Sequence, residues 1–484
     1  MKKQNKMNRR DLLKTGVSAL GLSLIPSGSL FAQRGMGGGG MGRGRGGHPI
    51  PVDPANPAIA FNENRCEQCS DCRSCCSGYM GVLDENSGSD GSHCIHCGQC
   101  TLICQGQALT EQYDYPQVSA LLDSKDKILI ASIAPSVRVS IGEMFGLLAG
   151  RDIEGKLIQG LRTIGFDYVL DTCFSADITI MEEAAELVHH LKNGEGGKPL
   201  FTGCCPAWKK YAQLYYPQWA PSISKVKSPF MIQAALVKSW FAQKMNLEPE
   251  KIVHVGIAPC TAKKYELTLP GMGAASRFRN RDQSVPDLDY SLTTRETGMI
   301  LKSRGVSRLL TVDNGSFDPM MGETSGAGLI FGNSGGVMQA ALRTAYWIVN
   351  KKDPPAELMN WEPASGVDPI RTAKVDLGSR SLRVAVVHGT GYLPEFFGRL
   401  ENGEKFDFVE VMACPYGCIG GGGQPRTVSS SYEALCNRRK SALIKRDEES
   451  SIRLSYKNTE VAALYKQFLK EPLSDRSRQL LHLK

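Results

Sequence analysis

Glu410-Val411-Met412-Ala413-Cys414-Pro415-Tyr416-Gly417-Cys418-Ile419-Gly420-Gly421-Gly422-Gly423-Gln424-Pro425 ends an apolar run, Asp407 to Met412, with two cysteines and a string of turn-forming residues. A short apolar run stopped by Pro and Gly predicts a buried strand that terminates sharply. Similar runs occur at Lys127 to Ile133, Asp167 to Leu170, Ile252 to Ile257 and Val384 to Val387. The longer stretches between them include several with helical periodicity, at Ile178 to Leu191, Pro229 to Met245 and Val337 to Val349. That alternation predicts parallel sheets covered by helices. In such folds ligands sit beyond the carboxyl ends of the strands. Ala134-Pro135-Ser136, Pro259-Cys260 and Ala413-Cys414 fall at those ends.

The chain has 484 residues, 42% of them apolar, enough for about three domains with real cores. Nine of its sixteen cysteines lie between Cys66 and Cys104; the others are Cys173, Cys204, Cys205, Cys260, Cys414, Cys418 and Cys436. Clustering at short fixed spacing points to metal before disulfide. Cys66-x2-Cys69-x2-Cys72-x3-Cys76 and Cys94-x2-Cys97-x2-Cys100-x3-Cys104 both resemble the runs of a two-cluster bacterial ferredoxin. Zinc sites use paired CxxC units rather than runs of four. The ferredoxin resemblance implies one four-iron cluster on Cys66, Cys69, Cys72 and Cys104, and another on Cys94, Cys97, Cys100 and Cys76. Ser77 and Gln105 follow the fourth cysteines where Pro is usual, and Cys75 beside Cys76 leaves two candidates for that ligand.

Three further segments combine cysteine with small residues at predicted strand ends: Thr202-Gly203-Cys204-Cys205-Pro206-Ala207-Trp208, Ala258-Pro259-Cys260-Thr261-Ala262-Lys263-Lys264-Tyr265-Glu266, and the opening stretch. In this order they closely resemble the signature motifs of the FeFe hydrogenases, and the likeness extends over most of residues 58 to 484. It implies a buried H-cluster, with Cys205, Cys260, Cys414 and Cys418 holding a four-iron cubane. Cys418 also bridges to a two-iron subsite that carries CO, cyanide and a dithiolate bridge. It places Lys263, Ser136 and the backbone at Pro135 near the cyanides and Met412 beside the subsite, and it gives a proton relay of Cys204, Glu183, Ser224 and Glu186. Glu183 and Glu186, three apart, share a helix face. A solvated helical face is what such a pair would otherwise mean. Three positions depart from the family pattern: Gly203 for Ser, Ala258 for Met and Phe230 for Gln. Cys173 and Cys436 read as small buried residues. The histidines receive no role.

Residues 1-32 carry Lys2, Lys3, Lys6, Arg9 and Arg10 before a short apolar segment, which reads as a signal peptide of twin-arginine type. That export route would let a metal centre be loaded in the cytoplasm before the folded chain crosses to the periplasm. The formal charge of +8 drops by five without this segment, because it holds six Lys+Arg and one Asp. The remainder gives no case for nucleic acid. Residues 33-57, rich in Gly, Arg and Pro, read as a linker. The expected organisation is then an α+β ferredoxin-like domain with two 4Fe-4S clusters at 58-112, a two-lobed α/β catalytic domain at 113-430 with parallel sheets around the metal centre, and a helical tail at 431-484. The tail resembles the separate small subunit of periplasmic hydrogenases, and packing around the catalytic domain is its expected role.

The family resemblance implies H2 and protons as substrates, an external electron carrier of cytochrome c or ferredoxin type, hydrogenase maturation proteins and the twin-arginine translocase as partners, and no stable membrane span in the mature chain. The alternative is a low-turnover hydrogen sensor or a degenerate electron-transfer protein. Replacing Arg9 and Arg10 by Lys is expected to strand active protein in the cytoplasm; unchanged periplasmic activity in fractionated cells would refute the export reading.

Overall fold

In the computed structural model, the described residues are 49–83, 90–194, 197–279, 285–361, 366–378, 380–427 and 431–483. Residues 1-32 and most of the 33-57 segment lie outside them. Strands β1 (Ile59–Phe61) and β2 (Leu109–Glu111) pair antiparallel and bracket the cysteine runs. β3 (Ile128–Ile133), β4 (Tyr168–Asp171), β6 (Ile252–Ala258) and β7 (Tyr290–Thr293) form a four-stranded sheet in the order β4-β3-β6-β7, parallel throughout. β5 (Leu200–Phe201), β8 (Ile370–Asp376), β9 (Ser381–His388) and β10 (Phe408–Met412) form the second, in the order β5-β10-β9-β8. Here the expectation of purely parallel sheets needs one correction: β8 runs antiparallel to β9. Its alternating exposure is that of an edge strand with one wet face. Both sheets end with their carboxyl edges toward the cysteine motifs.

The helices that matter for the site are α1 (Gln99–Ile103), α2 (Thr172–Asn193), α3 (Pro206–Tyr215), α4 (Gly336–Asn350), and, in the tail, α5 (Tyr432–Glu449), α6 (Thr459–Leu464) and α7 (Asp475–Leu481). α2 begins where β4 ends. The Asp171 carboxylate accepts from Cys173 N at 2.9 Å as its cap, and Gly194 at φ 61° closes it. Its first half packs Phe174, Ile178 and Met181 against Ile130 and Leu170 of the first sheet, and its second half packs Ala184, Leu187 and Val188 against Val384, Val386 and Phe408 of the second. A third stripe, Ala176 and Ile180, meets Cys204, Val337 and Met412. One helix therefore joins both cores and still faces the cysteine motifs.

The cysteine module and the tail belong to the same compact unit as the sheets. Arg295 makes the principal bolt. Its guanidinium donates to Glu111 at 2.7 Å, to Thr101 Oγ1 at 2.8 Å and to the Gln424 carbonyl at 2.7 Å, tying β2, α1 and the glycine run together. Burial pushes the Glu111 carboxyl up, but Arg295 prevails and holds it below its usual range.

Two buried carboxylates on α2 hold the tail. Asp177 accepts from Ser455 Oγ at 2.7 Å and Asn458 Nδ2 at 2.9 Å. Glu182 accepts from Tyr465 OH at 2.7 Å, Ser477 Oγ at 2.5 Å, Leu473 N at 2.9 Å and His482 Nε2 at 2.9 Å. Removing an acceptor with four buried partners strands all of them. Glu182→Ala is expected to cost on the order of 3 kcal/mol and to expose residues beyond 450 to protease; an unchanged melting temperature and digestion pattern would show that the tail is held otherwise.

Candidate metal centre and proton relay

The four cysteines expected to share a cubane come from three strand ends. Cys205 follows β5 and caps α3, with Pro206 in the first helical turn. Cys260 lies two residues past β6, and Cys414 and Cys418 flank a turn after β10 in which Gly417 has φ 85°. Their thiols face one another. Burial raises the Cys414 thiol well above its ordinary value, and the Cys260, Cys205 and Cys418 thiols raise it further. Cys260 is pushed up to about 12, first by burial and then by Cys205, with Lys263 pulling the other way. Among the described residues no three His, Cys, Asp or Glu side chains gather closely enough for a single metal ion. The wider set is the kind a multi-iron cluster needs, with four soft donors and little water.

The surroundings fit such a group. Ser136 is 1% exposed, and its hydroxyl has no hydrogen-bond partner among the described residues. An orphaned buried hydroxyl asks for a ligand acceptor. Pro135, Ser136 and Val137 form a buried 3₁₀ turn directly after β3. Lys263 Nζ donates to Glu266 at 2.7 Å and to the Cys204 carbonyl at 3.3 Å. Met412 packs in one small buried cluster with Cys204, Cys205 and Cys418. At Gly422 a Cβ would collide with the Cys97 carbonyl, so the glycine run admits backbone of the cysteine module at close approach.

In that module the thiols also crowd together. Burial raises Cys76, which then feels Cys94, Cys75 and Cys72; Cys97 feels Cys100 and Cys76. Cys72 is raised by burial and, less strongly, by Cys104 and Cys69. Cys100 feels Cys94 and Cys76 but also Cys75 and Cys72, so the thiols crowd together without separating into the two expected sets; Cys66 follows a short 3₁₀ turn and is half-buried. Cys75 is buried, pushed up to about 12 by burial and then by Cys72. Cys97 also faces Cys414 across the join. The Thr261 hydroxyl donates to the His96 carbonyl at 2.7 Å, and Gln99 Nε2 to the Gly420 carbonyl at 2.8 Å.

Cys204 is buried with its thiol raised well above normal, by burial first and then by Glu183, Cys205 and Cys418. Glu183 Oε1 accepts from Gly203 N at 2.9 Å, while Oε2 is buried and has no partner among the described residues. Ser224 Oγ donates to Glu186 Oε2 at 2.5 Å. Among the described residues no hydrogen bond joins Glu183 to Ser224, so a water must bridge them or a side chain must turn. Among the described residues none joins Cys204 to Glu183 either, so the expected residues do not form a continuous hydrogen-bonded chain. Cys173 and Cys436 are fully buried, as expected of small core residues; Cys173 Sγ also accepts from Arg138 at 3.2 Å.

Two features went unremarked in the sequence, although Glu410 opens the motif that ends in Cys414 and Cys418. Lys209 Nζ lies 3.2 Å from where a Cβ on Gly203 would sit, and its charge offsets part of the upward push on Glu183. Glu410, fully buried, accepts from Gly335 N at 2.6 Å and Met338 N at 2.7 Å at the start of α4; burial lifts it to about 7. The departures at 230 and 258 belong to one buried cluster, in which the Phe230 ring lies directly over Gly256.

Comparison with known proteins agrees with this geometry. Residues 127–422 match the family model described as iron only hydrogenase large subunit, C-terminal domain, and residues 433–484 match iron hydrogenase small subunit. The chain belongs to the iron-only hydrogenase family. It is 37% identical over 390 residues, 80% of its length, to the NADP-reducing hydrogenase subunit HndD of Solidesulfovibrio fructosivorans, of which it spans 64%. It is 38% identical to the periplasmic [Fe] hydrogenase large subunit of Nitratidesulfovibrio vulgaris, over 67% of this chain and 77% of that one. Among solved structures, an apo [FeFe]-hydrogenase HydA1 variant from Chlamydomonas reinhardtii superposes with a TM-score of 0.67 at 36% identity, covering 76% of this chain and 98% of that one.

Burial lifts the Glu183 carboxyl to about 8; the Gly203 N–H and Lys209 pull it back, and Glu186 pushes it further up. An unfolded Glu titrates near about 4.3. Between these values the folded chain keeps a proton that the unfolded chain has lost, so the group's stabilisation, full at low pH, is lost as pH rises through the folded value. Glu183→Gln, which cannot titrate, is expected to gain stability relative to the parent as pH rises from about 5 to about 8. Denaturant titrations showing a constant difference across that range would contradict the burial of a neutral carboxyl.

Proposed function

We propose that this chain catalyses the reversible oxidation of H2 to protons and electrons. The observation that carries the proposal is the convergence of four cysteines from three strand ends, Cys260 and Cys414 buried and Cys205 and Cys418 half-buried, with Cys204 and Glu183 beside them and an orphaned Ser136 hydroxyl nearby. Cys205, Cys260, Cys414 and Cys418 would hold the cubane of an H-cluster, whose two-iron CO/cyanide subsite supplies the centre for splitting or forming H2 when bound. Lys263, fixed by Glu266, and Ser136 would orient that subsite, and Met412 would help to exclude water.

The chain's own part is to move protons and electrons. Cys204 carries a proton at Sγ and exchanges it with the unpartnered Oε2 of Glu183; Ser224 and Glu186 carry it outward. A carboxyl lifted to about 8 suits a relay working near neutrality. Cys76, Cys94, Cys97 and Cys100 would hold one 4Fe-4S cluster and Cys66, Cys69, Cys72 and Cys104 a second, and these would supply electron transfer to a carrier of cytochrome c or ferredoxin type; the influence of Cys414 on Cys97 and the exposure of Cys69 support this reading. Twin-arginine export to the periplasm is part of the same reading; Arg9 and Arg10 lie outside the described residues, and among those residues no helix is long and apolar enough to cross a membrane.

The repacked pocket at Gly203, Phe230 and Ala258 favours a second reading, a hydrogen sensor with low turnover. Infrared spectroscopy on matured protein separates the readings from a degenerate one: CO and cyanide stretches with rapid H2 turnover support the enzyme, the stretches with slow turnover support the sensor, and their absence rejects both.

Cys204→Ser tests the relay. A hydroxyl keeps the size but titrates far above a thiol, so proton transfer should stall. Iron content should stay normal while turnover falls by on the order of a hundredfold, and Asp at this position should restore part of it. Full activity with intact clusters would exclude Cys204 from the route.

A further inference from the structure

The relay's outer end opens on a cleft of about 400 Å³ that no motif accounts for. Glu186 and His190 of α2 form one wall; Arg478 and His482 of the tail form another, and Lys198 and Lys225 stand at the sides. His190 is four residues after Glu186 and so on the same helix face. One of its ring nitrogens, Nε2, is 3.0 Å from the Lys198 carbonyl. His189, also in the cleft, is exposed on the rim, with Asn193 Nδ2 3.2 Å from its ring.

His482 is placed by backbone pairing. Lys227 N donates to the Leu481 carbonyl and Leu483 N to the Lys225 carbonyl, both at 2.8 Å, which sets His482 opposite Val226, two residues from Ser224. Its Nε2 is 2.9 Å from Glu182 Oε2. Two imidazoles from different parts of the chain thus share a cleft with Glu186, the carboxylate that receives Ser224.

We propose that this cleft is the proton port of the enzyme, in which His190 and His482 exchange protons between Glu186 and the solvent. The proposal rests on the hydrogenase reading and extends it: the small-subunit-like tail then supplies half of the port as well as bracing the catalytic domain. The chemistry favours imidazole. Lys198, Lys225 and Arg478 outnumber Glu186, so their field discourages hydronium from entering. An imidazole is neutral as a base, titrates ordinarily near about 6.5, and can pick up a proton on one nitrogen and release one from the other. In H2 oxidation the proton leaves a Glu186 oxygen for an imidazole nitrogen and then passes to water or buffer; in H2 evolution it runs the other way. No electrons move in this step.

The test is the double variant His190→Gln with His482→Gln, in which the new amide at position 482 can still donate to Glu182. In dilute buffer its H2 turnover should fall at least about tenfold, with iron content and infrared bands unchanged. Added imidazole should restore it, as it would not if the histidines were merely structural. Unchanged turnover in dilute buffer, or a loss that imidazole leaves untouched, overturns the port.

A second measurement does not depend on activity. In the full chain labelled at histidine ring carbons, Glu186→Gln should shift the NMR titration midpoints of His190 and His482 while leaving the buried His254 signal in place. If the parent chain shows neither turnover nor CO and cyanide bands, the hydrogenase reading fails, and these midpoints decide the port alone: no shift overturns it.

Discussion

Four cysteine thiols brought together from three strand ends set the terms for the rest of the molecule. A thiolate is costly in a dry interior, and four together also repel; the Cys260, Cys414 and Cys418 thiols are all raised, by burial first and by one another next. Such a set is stable as thiolates only around a strongly cationic group, whose binding must release the thiol protons. The fold encloses these thiols with strand ends and close backbone. It also keeps the compensating charge small: Lys263 is the cation at the rim, and Glu266 already faces it at 2.7 Å. The cluster's own charge is left to decide the balance.

Much of this was legible because the same local rule repeats. A continuous apolar run that ends in Cys, Pro or Gly located β3, β6 and β10, and their ends are where the candidate site lies. β5 was not visible: two residues after Lys198 and Pro199 carry no period. β8 was missed for another reason. Ile370, Arg371, Thr372, Ala373, Lys374, Val375 and Asp376 alternate exposure as an edge strand does, and a reading keyed to unbroken apolar runs passes over them. Glu182 and Lys209 carry no local signal at all. A Glu beside another Glu on a helix, or a Lys after a Trp, looks like a solvated face until tertiary packing buries it.

The departures from the family pattern become intelligible as paired changes. At Gly203 a Cβ would meet the Ser224 carbonyl at 2.5 Å and Lys209 Nζ at 3.2 Å, so the neighbouring segment and a lysine head occupy the space a side chain would need. Reintroducing a serine there, without more, would push on the residue that continues the relay. Phe230 is bulky where Gln is common, and it lies over Gly256 beside Ala258, which is small where Met is common. Volume removed at one position is supplied at the other. The pocket wall is rebuilt as an aromatic surface, with Lys263 Nζ 5.6 Å from the ring centroid. The cavity is therefore altered in polarity rather than emptied.

α2 ties these strands of the structure together. Along one helix it places Asp177 and Glu182, which grip the tail, and Glu183 and Glu186, which face the relay. Adjacent residues on a helix point about 100° apart, so Glu182 and Glu183 must face different neighbours. One is satisfied by four donors from the tail; the other keeps an oxygen without a partner. The satisfied carboxylate fixes the helix against sliding or turning, and that rigidity lets the unsatisfied one wait in a buried place where a mobile side chain would find some other donor. Joining the tail covalently to the catalytic segment keeps this brace at high effective concentration. The position of Glu183 is thus secured by a neighbouring carboxylate that the tail satisfies.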